Sequence, residues 1–108
     1  MHGPPAPESE SLSVPRADHT AELLVGIRAG DAAALERFHR GWYERLVREA
    51  TAMTRRDIDF ALDVVQDALV RLIDRPPAVG CEAHLAAWMR RVMFSCAIDR
   101  IRSDARRV

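Results

Sequence analysis

Two groups of side chains have the types and spacing to do chemistry, and they carry opposite charge. Asp59, Asp63, Gln66, Val70 and Asp74 fall along one strip at helical spacing, with Asp67 beside it. An acidic strip is either a solvated face or a dock for something basic. Two details weigh against simple solvation. Asp59–Asp63 and Asp63–Asp67 are like charges four apart, which repel on an isolated helix. Val70 also sets an apolar side chain in the middle of the strip, where a partner helix would use it. The second group is Arg90, Arg91, Arg100, Arg102, Arg106 and Arg107. These arginines form either a solvated face with internal salt bridges or a track for phosphates. Phosphate contacts release counterions and make binding sensitive to salt. Asp99 stands among them on the Trp88/Val92 side, where an apolar residue is expected. A buried carboxylate there needs a charged partner, and Arg45 or Arg102 is expected to lock it.

No catalytic constellation accompanies these groups. His2, His19, His39 and His84 are scattered, and there is no Gly-rich phosphate loop, nucleophile elbow or His-Glu-x-x-His. Cys81 and His84 form only half of a zinc site, with no second Cys/His pair at ligand spacing. The chain is expected to be no enzyme and to hold no metal or cofactor.

Helices must position these groups. "AELLVGIRA" is a short helix with Leu23, Leu24 and Ile27 on one face, capped by Asp18 or Thr20 and stopped by Gly30. Asp31 caps a second helix, whose stripe is Leu35, Phe38, Trp42, Leu46, Ala50 and Met53. Gly41 lies inside it, either for close approach by a neighbour or merely tolerated. "TRRD" makes a turn. A third helix runs from about Asp57 to Asp74, with Ile58, Ala61, Leu62, Val65, Ala68, Leu69, Leu72 and Ile73 as its core face. Pro76 and Pro77 end it. After the loop "RPPAVGCEAH", a fourth helix begins near Ala83. It carries two apolar stripes, Leu85/Trp88/Met89/Val92/Cys96 and Phe94/Ile98/Ile101/Ala105, so it is wedged between neighbours or offers one stripe to a partner. The expected fold is all-α, a compact bundle of three or four helices.

Composition agrees with one such domain. The 108 residues are 48% hydrophobic and 30% charged, with zero net charge. Zero net charge gives no overall pull toward nucleic acid or membrane, but the charges are segregated. Residues 57–75 hold five acids against two arginines, and residues 84–108 hold six arginines against Asp99 and Asp104. That asymmetry points to two different partners. Every basic residue is arginine. Two cysteines are too few for a secreted disulfide framework, and Cys96 reads as a core residue. No secretory signal or membrane-length apolar run is present, so a cytoplasmic location is expected. Residues 1–17, rich in Pro, Ser and Glu, are expected to form a disordered tail, leaving 18–108 as the domain.

The order of these features resembles region 2 of the extracytoplasmic-function (ECF) sigma factors of the sigma-70 family. "ELLVGIRAGDAAALERFHRGWYERLVREA" resembles that region's opening, with its A-G-D between two helices. "DVVQDALVRLI" is similar to the family's D-x-V-Q-E-x-F-x-x-L-W motif. "HLAAWMRRVMFSCAIDRIR" is similar to its L-x-x-W-L-x-x-I-A-x-N-x-x-x-D-x-x-R segment. A-G-D alone is a weak signal, whereas the three motifs in order and at the right distances are a strong one. They cover Ala21 to about Arg107.

The resemblance implies a transcription-initiation domain that binds core RNA polymerase and recognises and melts the promoter −10 element. The polymerase surface, on the clamp helices of the largest subunit, would be met by Asp59, Asp63, Val64, Gln66, Asp67 and Val70. A base flipped from the −10 element would be held by the loop of Pro76, Pro77, Ala78, Val79 and Gly80, with His84 beyond it. Arg90, Arg91, Ser95, Arg100 and Arg102 would lie along the melted single strand. An anti-sigma factor is a further implied partner, and no membrane is. Three departures stand out. Ser95 occupies a position commonly Asn, Leu69 and Ile73 replace the usual Phe and Trp, and Gly80 and Cys81 make the loop idiosyncratic. The family's second helical domain, region 4, which reads the −35 element, is expected to be missing. Ser95 and that missing domain support a rival expectation, a sigma-derived interaction module that binds polymerase or a regulator without promoter recognition.

Overall fold

The first two helices stop where the chain supplies a residue able to stop them. The computed structural model describes residues 19–107, and the expected N-terminal tail lies outside them. The first helix, α1, covers 19–28 of these residues. Gly30, at φ 81°, takes the left-handed conformation that a Cβ disfavours. Its N–H donates to the Ile27 carbonyl, and the Asp31 N–H donates to the Gly26 carbonyl at 2.9 Å. That paired closure satisfies two end carbonyls of α1 and reverses the chain. Thr20 is already helical and is buried, so it does not cap α1. Asp18 lies outside the described residues.

Asp31 caps α2 (Ala32–Thr54) by accepting from the Ala33 N–H at 2.9 Å. Arg55, at φ 55°, closes that helix by donating its N–H to the Thr51 carbonyl. Asp57 caps α3 (Ile58–Asp74) by accepting from the Phe60 N–H at 3.0 Å. The segment 75–81, which includes both prolines, then leads to α4 (Glu82–Arg107). The described residues contain four helices and no strand, so the fold is an all-α bundle. None of those helices is long and apolar enough to cross a membrane.

The core lies where α3 packs against both α2 and α4, with α1 closing one end. Phe38 and Leu46 of α2, Val64 and Leu72 of α3, and Met89 and Met93 of α4 are all fully buried. Phe38 stacks on Trp42 with ring centroids 5.3 Å apart. A Cβ built on Gly26 would lie 2.6 Å from the Ala34 Cβ, so α1 reaches α2 only because position 26 lacks one. That approach buries Ala34 in place of the expected Leu35, which is half-buried. Gly41 has open space around it and permits no close contact.

Two expectations for the α3 core face are corrected. Ile58 and Ile73 are 52% and 46% exposed, while Val64 is fully buried. The buried arc of α3 is centred on Ala61, Val64, Ala68 and Leu72 rather than on Ile58 and Ile73. The two-stripe reading of α4 is resolved in the same way. Leu85, Met89 and Cys96 are buried, Phe94 is 56% exposed, and Ile98 and Ile101 are half-buried.

Candidate interaction faces of the third and fourth helices

Helical periodicity turns Asp59, Asp63, Gln66 and Val70 outward from the buried arc of α3, and all four are exposed. Val70 is 58% exposed and stands in the middle of this face. Val64, expected on it, points into the core instead, because it lies about a third of a turn around the helix from Val70, inside the buried arc. Exposed Ile73 joins the face, so its character is acidic with an apolar centre rather than purely acidic.

Asp67 sits at the edge of this face and turns toward α4. There Arg100 meets it in a two-point pairing. Nε donates to Oδ2 at 2.6 Å and Nη2 donates to Oδ1 at 3.1 Å. The third nitrogen, Nη1, lies 3.5 Å from Asp63 Oδ2. Asp67, first by its hydrogen bond and then by its charge, pushes the Arg100 guanidinium above its ordinary pKa. The expected repulsion between Asp63 and Asp67 is therefore relieved by a cation from the next helix.

The arginines of α4 do not form one track. Arg91 and Arg100 are nine residues apart, about two and a half helical turns, and leave opposite sides of the helix. Arg100 belongs to the α3 seam and not to the outward strip expected to meet DNA. Arg90 leans toward α2, with Nη1 3.9 Å from Glu49 Oε2. Arg91, Ser95 and Arg102 remain together on the outward strip, and all three are exposed. Phe94 borders that strip and adds an exposed aromatic ring.

Asp99 is not a buried lock. Its side chain is 61% exposed and pairs with Arg71 of α3 at 3.0 Å, not with Arg45 or Arg102. The same guanidinium donates to Ser95 Oγ at 3.3 Å. Arg71 was not singled out by sequence reasoning, although it is the lone arginine inside an otherwise acidic helix. Arg45 instead stacks over Trp42 at 4.6 Å and donates to Glu82 at 3.2 Å, fixing the start of α4 on α2. Beneath the charged seam, burial pushes the Cys96 thiol above its ordinary pKa, which keeps it protonated and unreactive.

The 75–81 segment lies at the other end of the α3–α4 seam. Ala78 and Gly80 are exposed, Pro76 and Pro77 are half-buried, and Val79 packs against the core and anchors the segment. The Pro76 carbonyl accepts from Arg28 at 3.4 Å. Beside it Arg71, Asp74, Arg75 and Trp88 line an open hollow of about 320 Å³. His84, at the start of α4, is exposed. Among the described residues no three His, Cys, Asp or Glu side chains converge as metal ligands would.

No protein-family model matches the chain, and no solved structure matches it. Among curated proteins it is 30% identical over 82 residues to the ECF RNA polymerase sigma factor SigM of Mycobacterium tuberculosis, in two strains. The matched stretch is 76% of this chain and 41% of SigM, so the chain spans well under half the length of the curated relatives it matches. Over that stretch the chain is similar to part of a sigma factor.

Proposed function

We propose that this chain is a sigma region 2 domain that docks on core RNA polymerase through the outer face of α3 and holds −10 promoter DNA along the outer face of α4. The carrying observation is that the two faces are separate, exposed and opposite in character. The polymerase face is Asp59, Asp63, Gln66 and Val70, widened by Ile73. The DNA face is Arg91, Ser95 and Arg102, with Phe94 as a stacking platform and the 76–80 loop and His84 at its end. Arginines that follow a backbone and an aromatic ring that accepts a base are the two parts of single-strand recognition. The domain works in the cytoplasm and catalyses nothing itself. An anti-sigma factor is a natural competitor for the α3 face.

One observation favours the rival reading, an interaction module without promoter recognition. Arg90 and Arg100 are drawn to neighbouring carboxylates, which leaves a shorter basic strip than six arginines promise. Binding of a −10-like single-stranded oligonucleotide across a salt series separates the readings. Promoter recognition predicts affinity that falls steeply with salt, by a logarithmic slope of about 0.7 for each phosphate neutralised. Arg91→Gln then removes about one such unit. Binding that is absent, or indifferent to salt, leaves only the interaction module.

A further inference from the structure

Arg100 differs from the other arginines of α4 in what it does with its guanidinium. All three nitrogens face carboxylates of α3, two of them on Asp67 and one on Asp63. A planar fork that matches a carboxylate on both points is the strongest geometry an arginine has. Asp63 belongs to the face assigned above to polymerase and Asp67 stands at its edge, so a basic residue of α4 occupies the place that a partner's basic residue would take. The contact is also accessible. The Arg100 and Asp67 side chains are each 38% exposed and Asp63 is 59% exposed, so a competing cation can reach both acids.

Its position along α4 adds a second observation. The fully buried residues of α4 end at Ala97. Beyond that point, among the described residues, α4 is tied to another helix by Asp99, which Arg71 holds at one point, and by Arg100, the last residue of α4 to make such a contact. Arg107 pairs only within its own helix, with Ser103 and Asp104.

We infer that Arg100 is a built-in competitor for the acidic face of α3, an ionic latch that a basic partner must displace from Asp67 and Asp63 in order to dock. The inference rests on the docking reading. It adds that the free domain is held below its full affinity by its own fourth helix. Displacement would also remove the last tie of α4 to α3 and leave only the single-point Asp99–Arg71 pair near it, so docking on α3 and freedom at the end of α4 are linked and each favours the other.

The test is capture of core RNA polymerase by the full chain, with helicity checked for each variant. Arg100→Gln removes the latch and leaves both acids free. The expected result is tighter capture, by about fivefold, the lower end of typical coupling between sites. Arg100→Lys keeps the charge but not the two-point fork, and falls between the two. Asp67→Asn in the Arg100→Gln background removes most of the gain, because the freed acid is its source. A destabilised variant captures less and so cannot imitate a gain. Capture by Arg100→Gln equal to or weaker than wild type overturns the latch. Val70→Arg separates this failure from failure of the docking reading. If Val70→Arg captures normally, the docking reading falls and the latch falls with it. If Val70→Arg loses capture and Arg100→Gln gains nothing, only the latch falls.

Discussion

The outer faces of α3 and α4 carry opposite charge, and each borrows one countercharge from the other. Arg71 leaves the acidic helix to meet Asp99 and Ser95 of the basic one. Arg100 leaves the basic helix to meet Asp63 and Asp67 of the acidic one. The two exchanges are not equal. Arg100 holds Asp67 at two points and is 38% exposed, whereas Arg71 holds Asp99 at one point between side chains 45% and 61% exposed. Solvent screening and side-chain entropy leave an exposed single-point pair worth little, and a two-point fork somewhat more. The difference teaches that the sign of a face cannot be read from its own helix alone. The acidic face is partly neutralised from α4, and the basic face is cleared of its stray acid from α3.

The comparison breaks first at two valines of one helix. Val64→Asp buries a carboxylate with no partner, a cost of several kcal/mol, and is expected to abolish cooperative unfolding. Val70→Asp sits in solvent and leaves the melting temperature nearly unchanged. Circular dichroism melts of the pair check this, and equal behaviour would show that the outer face of α3 is misassigned. A smaller effect is expected from Arg100→Gln, which removes the two-point pairing and costs about 1 kcal/mol in urea denaturation. The smallest is Arg71→Gln, within about 0.5 kcal/mol of wild type by the same measurement. A reversed order for the two arginines would mean that the Asp99 side of the seam, not the Asp67 side, holds the helices together.

Much of this was legible in the sequence for physical reasons. The four helices, the Gly30 stop and the Asp31 cap follow from local chemistry that tertiary packing does not override, whereas Asp57 was legible only as the start of a helix and not as its cap. The Phe38/Trp42/Leu46 stripe is legible because a helix of period 3.6 must bury one side. Sequence reasoning failed where the answer depended on a neighbour. Val64 and Ile73 are similar in hydrophobicity, so only the position of α2 and α4 decides that the first is core and the second surface. Asp99 looked like a buried acid because α4 carries apolar residues on several sides, and Arg71 on another helix decided otherwise. Arg100 was grouped with Arg91 by composition, although half a turn of helix separates their directions. The tight Gly26–Ala34 approach left no signal beyond a glycine inside a short helix.

The central claim is that the two faces serve different partners, and capture of core RNA polymerase by Val70→Arg and Arg91→Gln, side by side, tests it most directly. The account predicts that Val70→Arg loses capture by tenfold or more, about 1.4 kcal/mol of binding, while Arg91→Gln captures as wild type does. Normal capture by Val70→Arg, or equal loss in both variants, would contradict it.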